Sequence, residues 1–297
     1  MKIVHLCYSF LCLMMRDTQR WNLLQRKAQQ AKSVRAVEVL RSAGIEPILI
    51  KGVAAAQFYP TDKYRFSIDT DLAVSDADFD KANSLCRSPA AAGMAIDLHR
   101  ALRHLDTVEW QNLFDNSRLL GFEEGSIRVL RPEDNLRVLC VHWLTDGGVY
   151  KERLWDVYYG VANRPTNFSW DRFLGPVSDR RRRWLICTIG LASRYLGLDL
   201  SDTPIKDEAS ELPKWLTHAV ETEWADDVKP RPLEASLNDS KVLIEQVKRR
   251  FSPNPIRATI EMEGSFDAPT RFFYRLGNFF MRIPSSYRRV SGTLRAR

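Results

Sequence analysis

Two aspartates separated by a single residue, Asp69-Thr70-Asp71, stand in one apolar segment, and a third acid, Asp97, interrupts another. In an extended chain the side chains at i and i+2 project from the same face, roughly 7 Å apart at the backbone. Two anions so placed repel, and packing has no use for them. A divalent cation, or a pair, would relieve the repulsion, and hard Mg2+ suits carboxylate oxygens joined by phosphate oxygens, with Mn2+ as the alternative. If the two segments are neighbouring strands, three carboxylates converge. That is the arrangement of two-metal phosphoryl transfer, one ion activating the attacking oxygen and the other steadying the leaving group. Lys51-Gly52 lies between a short apolar run and a helix-like stretch. Backbone N–H groups at such a turn favour a phosphate. Gly52 lets phosphates approach the backbone, and Lys51 or Arg65 can balance their charge.

The elements that must position these groups follow from hydrophobic periodicity. Trp21, Leu24, Ala28, Ala31, Val34, Val37 and Leu40 recur at three- and four-residue steps, which predicts one apolar helix face, stopped by Gly44. Residues 47–50 read as a buried strand and residues 53–59 as a short helix. Residues 68–74 alternate strictly, Ile68, Thr70, Leu72 and Val74 against Asp69, Asp71 and Ala73, and so predict a strand. Ser75-x-x-Asp78 resembles a helix start, followed by Phe79, Ala82, Leu85 and Cys86 facing inward. Residues 94–99 give a second alternating strand, with Asp97 and His99 sharing a face, and residues 126–130 a further one. After Pro132 the texture is helical: Asp134 is placed as the cap of a helix ended by Gly147-Gly148, and helices follow around 154–161 and 184–196. The expected fold class is α+β, a small mixed sheet with flanking helices in residues 1–130, then a helical domain in 131–297. Residues 230–232 and 252–255 read as turns or linkers.

Ile50-Lys51-Gly52, Tyr59, Arg65, Ser67 and Asp69-x-Asp71, taken in order, resemble the polymerase-β-like nucleotidyltransferase superfamily, and within it an uncharacterised bacterial branch. Asp97-Leu98-His99 is similar to that branch's third-carboxylate strand. Residues 132–136 with His142, and Arg153-x-x-Asp156, are similar to its helical half. The resemblance implies transfer of a nucleoside monophosphate from a Mg2+-bound NTP to an acceptor. It makes Asp69, Asp71 and Asp97 the catalytic metal ligands, with Asp97 also helping to deprotonate the acceptor, and puts Lys51, Gly52, Arg65 and Ser67 at the nucleotide. The turn departs from the superfamily pattern, because it offers one glycine and no hydroxyl. The alternative is a nucleotide- or RNA-binding regulator without turnover.

The remaining residues bound the reading. The 297 residues carry 44 Lys+Arg against 37 Asp+Glu, and 44% are hydrophobic, which excludes a wholly disordered or collagen-like chain. Five widely spaced cysteines form no C-x-x-C pair, so a zinc ribbon is unsupported. Cys86, Cys140 and Cys187 are expected to be buried thiols of a cytoplasmic protein. The apolar run 3–15 is too short to span a bilayer and reads as a packed or frayed helix, with a signal peptide the lesser alternative. Arg153 and Asp156 read as a helical ion pair, and His142 as a hydrogen-bonded helix residue. Arg180 to Arg183 reads as a solvated basic face or an acceptor contact. From residue 268 to 297 there are seven Arg and no acid, mixed with Phe and Tyr. That composition suits packing under Arg stems, an RNA groove or an anionic membrane surface.

Overall fold

The structure, a computed structural model, describes residues 2–102, 108–226, 239, 241, 242, 244 and 253–282; for residues 2–18 it describes the backbone alone. Cys7, Cys12, Arg103, the 230–232 segment and residues 283–297 therefore lie outside the described side chains. The chain divides into two compact units, one of residues 1–139 and 159–176, the other of residues 140–158 and 177–297.

The first unit is built on a five-stranded mixed sheet in the order β3-β2-β1-β5-β4. A long helix, α1 (Lys2–Arg41), leads to β1 (Ile48–Leu49), α2 (Gly52–Ala56), β2 (Thr70–Val74), α3 (Phe79–Cys86) and β3 (Ile96–Arg100). Then come α4 (Trp110–Asp115), the hairpin β4 (Arg118–Phe122) and β5 (Gly125–Val129), α5 (Pro132–Thr145, in this unit up to Leu139), α6 (Leu154–Ala162, in this unit from Tyr159) and α7 (Trp170–Leu174). β1 runs antiparallel to β2 and parallel to β5, and β2 runs parallel to β3. One sheet face packs Leu49, Leu72, Val74, Ile127 and Val129 against Val34, Ala36, Val37 and Leu40 of α1 and Ala82 of α3. Ile48, Ile50 and Ala73, on the other face, meet Leu113 of α4 and Val138 of α5.

Several boundaries differ from the periodicity. The apolar face of α1 is buried only from residue 33 onward, and Trp21 and Leu24 are exposed, because the helix runs far past the two-layer core. β2 starts at Thr70 rather than Ile68. Ile68 is 69% exposed, and the first ladder bond runs from the Thr70 N–H to the Ala95 carbonyl (2.8 Å). Asp134 lies inside the first turn of α5, which begins at Pro132, and is fully buried between Arg131 and Arg137, so it is not a cap. Cys86 is half-buried rather than buried.

Among the described residues the second unit contains α8 (Asp179–Leu196), α9 (Lys206–Ser210), α10 (Lys214–Ala225), α11 (Pro255–Glu261) and α12 over residues 272–282. Ser178 caps α8 by accepting from the Arg181 N–H. Trp184 and Trp215 anchor its core, each donating its indole N–H to a backbone carbonyl, of Gly264 (3.0 Å) and Phe266 (2.8 Å). Burial pushes the Cys187 thiol up to about 12, which keeps it unreactive. Among the described residues no helix is long and apolar enough to cross a membrane.

Candidate metal and nucleotide site

The site forms where the C-terminal end of β1 meets the N-terminal ends of β2 and β3. The Ile50 N–H donates to the Asp71 carbonyl (3.0 Å), which brings the following Lys51-Gly52 turn beside β2. In the parallel β2–β3 ladder Asp71 lies opposite Asp97, and Ala73 opposite His99. Neighbouring strands sit about 4.8 Å apart, so the two aspartates project side by side from one face. His99, two residues beyond Asp97, shares that face and reaches back between them. Its Nε2 lies 3.3 Å from Asp71 Oδ1 and 3.3 Å from Asp97 Oδ2. Like charges directly opposite are destabilising, and here the compensation is visible. Lys51 Nζ forms a close ion pair with Asp71 Oδ1.

The two carboxylates differ in environment. The Asp71 side chain is 5% exposed and the Asp97 side chain 54%. The hydrogen bond to His99 holds the Asp97 carboxyl below its ordinary range, against the opposing effect of partial burial. Burial disfavours a charged His99, but hydrogen bonds to Asp71 and Asp97 outweigh it and raise the imidazole to about 9.

Lys51 is held in an unusual backbone conformation, φ 57° and ψ −145°, and Gly52 follows at φ 40°. The first is disfavoured for any residue with a side chain and costs on the order of 1–3 kcal/mol. It persists because β1 fixes one end, α2 the other, and the buried ammonium is tied to Asp71. α2 has five residues, shorter than the 53–59 expectation, so its dipole adds little to the turn. A Cβ at Gly52 would lie 3.8 Å from Ser67 Oγ, ordinary contact. The glycine is therefore required by its positive φ, and the Ser67 hydroxyl lies next to it. Ser67 Oγ also donates to the Asp69 carbonyl (3.0 Å) and lies 3.3 Å from Asp69 Oδ1.

The predicted residues thus separate into groups. Asp71 and Asp97 come together, with Lys51 on Asp71. Asp69 precedes β2 and is exposed, held by Ser67. Arg65 is half-buried in the loop leading to β2. His99 is the member that counting carboxylates undervalues. Among the described residues, Asp71, Asp97 and His99 form a cluster whose ligand atoms all lie within 4.8 Å of one another. The signal for His99 was its i+2 spacing from Asp97 on an alternating strand.

The donor set fits a divalent cation. An ion about 2.1 Å from each ligand holds neighbouring donors roughly 3 Å apart, and both His99-to-carboxylate distances are 3.3 Å. Two carboxylate oxygens suit Mg2+, and the imidazole extends the choice to Mn2+.

Elsewhere the charged motifs serve packing. In α5, Asp134 pairs with Arg131 and Arg137, and Glu133 accepts the Ser169 N–H (2.9 Å). His142 Nε2 lies 3.6 Å from Asp146 Oδ2, and Arg153 pairs with the same carboxylate.

Residues 11–91 match the sequence profile of a family described as uncharacterised nucleotidyltransferase. The match covers β1, the Lys51-Gly52 turn, Arg65, Ser67, Asp69, Asp71 and α3, and it ends before β3. No curated protein and no solved structure gives a significant match. The resemblance seen in the motifs therefore stands on an independent comparison, and the segment that carries the turn and the first two aspartates is similar to nucleotidyltransferases, which supports nucleotidyl transfer in general terms.

Proposed function

We propose that the protein is a metal-dependent nucleotidyltransferase that moves an NMP from a Mg2+- or Mn2+-bound NTP to an acceptor hydroxyl, phosphate or similar group. The observation that carries this reading is the register of β2 and β3, which sets Asp71 beside Asp97 and His99 next to the Lys51-Gly52 turn. Asp71, Asp97 and His99 would hold the ion, and Asp69, exposed one residue before β2, is the candidate ligand for a second. When bound, the metal supplies Lewis-acid stabilisation of charge on the transferring phosphoryl group. Lys51 and Arg65 supply cationic charge for the triphosphate. Ser67 supplies, from the loop before β2, the hydroxyl that the turn itself lacks. In the transfer, the acceptor oxygen bonds to the α-phosphorus, the bond to the β-phosphate oxygen breaks, and pyrophosphate leaves. Asp97, the more exposed of the paired carboxylates, receives the acceptor proton. In this reading residues 1–130 carry the chemistry and the helical remainder is available to hold the acceptor, in a reducing, nucleotide-rich cytoplasm.

The test is a panel of four α-labelled NTPs with Mg2+ or Mn2+ in cell extract, asking which molecule acquires label. Label transfer by the wild-type chain and its loss in Asp97→Asn is the expected result. Transfer at the wild-type rate by Asp97→Asn contradicts the assignment. One observation favours a second reading, a nucleotide-binding regulator without turnover: Lys51 pairs directly with Asp71, so the chain itself supplies a positive charge at that carboxylate. Nucleotide or RNA binding that is indifferent to EDTA and to Asp97→Asn, with no label transfer, selects it.

A further inference from the structure

The loop that carries Arg65, Ser67 and Asp69 is tied to α1. Arg26 donates to the carbonyls of Pro60 (3.1 Å) and Lys63 (2.6 Å), and Lys32 donates to the carbonyl of Ile68. Gln29 lies three residues from each, on the same side of the helix, and is half-buried. Its side-chain oxygen accepts a hydrogen bond from the Tyr64 hydroxyl (3.3 Å). The nitrogen branch of the same amide lies at the Lys51-Gly52 turn. A Cβ on Gly52 would stand 3.9 Å from Gln29 Nε2 and 3.8 Å from Ser67 Oγ. Among the described residues those two atoms are what comes within 4 Å of that point from outside the turn and α2. The space that Gly52 leaves by lacking a side chain is therefore bordered by two polar groups, one from α1 and one from the loop.

The two groups differ in what they can give. Ser67 has one hydroxyl hydrogen, and the Asp69 carbonyl accepts it (3.0 Å). A carboxamide nitrogen carries two N–H donors, and among the described residues the hydrogen bond that Gln29 makes uses its oxygen instead. Lys51, beside the space, is paired with Asp71. α2 has five residues and brings no anion site of its own, so a phosphate over Gly52 depends on side-chain donors. Hydrogen bonds to an ionised oxygen are roughly twice as strong as those between neutral groups. A mere tie between helix and loop accounts for the oxygen on Tyr64. It does not account for an amide nitrogen set against a glycine.

We propose that Gln29 is a phosphate-binding residue of this site: its side-chain amide, oriented by Tyr64, donates to a non-bridging oxygen of the NTP triphosphate lying over Gly52. The proposal rests on the nucleotidyltransferase reading and extends it, because it makes α1 part of the nucleotide site. Gln29 touches the substrate, and Tyr64 is a positioning residue that acts through it.

The experiment is calorimetric titration of the full chain with ATP and with inorganic tripolyphosphate, each with Mn2+, for wild type, Gln29→Ala, Gln29→Glu and Tyr64→Phe. Wild type should bind both. Gln29→Ala should weaken both about tenfold, the loss expected for one hydrogen bond to a charged group. Gln29→Glu keeps the length of the side chain and an acceptor for Tyr64, but puts a carboxylate against the phosphates, so it should weaken both by about 100-fold or more. Tyr64→Phe should weaken both about threefold. Mn2+ without nucleotide should bind Gln29→Ala as tightly as wild type. Wild-type affinity for tripolyphosphate in both Gln29 variants overturns the proposal and leaves the nucleotidyltransferase reading standing. A larger loss in Gln29→Ala than in Gln29→Glu, or a parallel loss of Mn2+ affinity in Gln29→Ala, also overturns it, because Gln29 is then a structural tie. Failure of wild type to bind either ATP or tripolyphosphate overturns both the proposal and the reading beneath it.

Discussion

Two charge clusters, in different units, are built in opposite ways. At β2–β3 two carboxylates stand side by side, with the Lys51 ammonium on Asp71 and the His99 imidazole shared between them. On α8 three arginines of the run are matched in turn: Arg181 meets Glu263, Arg182 meets Glu208, and Arg183 meets Asp267 and the carbonyls of Glu208 and Glu211. Read along the chain, Arg180–Arg183 is the more conspicuous run. In three dimensions it clamps neighbouring segments of its own unit, whereas the sparse Asp-x-Asp and Asp-x-His pairs bring like charges together. Matched pairs hold structure in place. Like charges forced together by strand register are balanced here by Lys51 and a protonated His99, and a divalent cation that displaces the imidazole proton could take over that balance.

The largest expected effect comes from Asp71→Ala. It should lower Mn2+ affinity at least 100-fold and destabilise the first unit by about 3–5 kcal/mol, because the buried Lys51 loses its partner. Urea unfolding read alongside Mn2+ electron paramagnetic resonance separates the two effects. Asp97→Asn should reduce label transfer by about 100-fold or more, as for loss of a group acting directly on the reaction. Its carboxylate is half-exposed, so unfolding should change by only about 0.5 kcal/mol. If Asp97→Asn unfolds as easily as Asp71→Ala, the pair is structural and the contrast with α8 disappears. Arg181→Met should cost about 1–2 kcal/mol, through loss of the Glu263 pair and of the guanidinium near the Trp184 ring, with Mn2+ binding unchanged. A change in Mn2+ affinity there would break the separation between clamp and site.

The smallest effect tests a matched pair inside the first unit. Glu46 accepts from Arg41 Nε (2.7 Å) and lies 3.5 Å from Arg128 Nε. The hydrogen bond from Arg41 holds its carboxyl below the ordinary range, against partial burial. A carboxyl lowered on folding contributes stability above its unfolded pKa and loses that contribution as pH falls through the folded value. Glu46→Gln should therefore cost roughly 0.5–1 kcal/mol at pH 7. The difference from wild type should shrink as pH falls below the ordinary glutamate range and vanish once it passes below the lowered folded value. A difference that persists unchanged in acid would mean that packing, not charge, is the source.

How far the fold was legible depended on how each element is buried. β2 and β3 could be read because each alternates, and β1 because its short apolar run is buried on both faces. β4 was missed. It is an edge strand, its Leu119 is exposed, and Arg-Leu-Leu-Gly-Phe shows no period of two. The reach of α1 was overread, since periodicity gives a helix face but not the length of sheet available to cover it. At the site, Asp71 and Asp97 were visible as acids where packing wants none. Their pairing was conditional on two strands being neighbours, which only the register supplies. The Lys51–Asp71 bond and the approach of Ser67 to Gly52 depend on an unusual backbone at Lys51 that no local pattern announces. The alternation showed His99 only as sharing a face with Asp97; its distances to both carboxylates make it a ligand candidate once its proton is lost.

The most direct measurement is a Mn2+ titration of the purified chain by electron paramagnetic resonance, with and without ATP, for wild type, Asp97→Asn and His99→Ala. The account predicts saturable Mn2+ binding that ATP tightens, weakened at least tenfold in each variant while the unfolding midpoint stays near that of wild type. Wild-type affinity in both variants, or no saturable binding by the wild-type chain even with ATP, would contradict it.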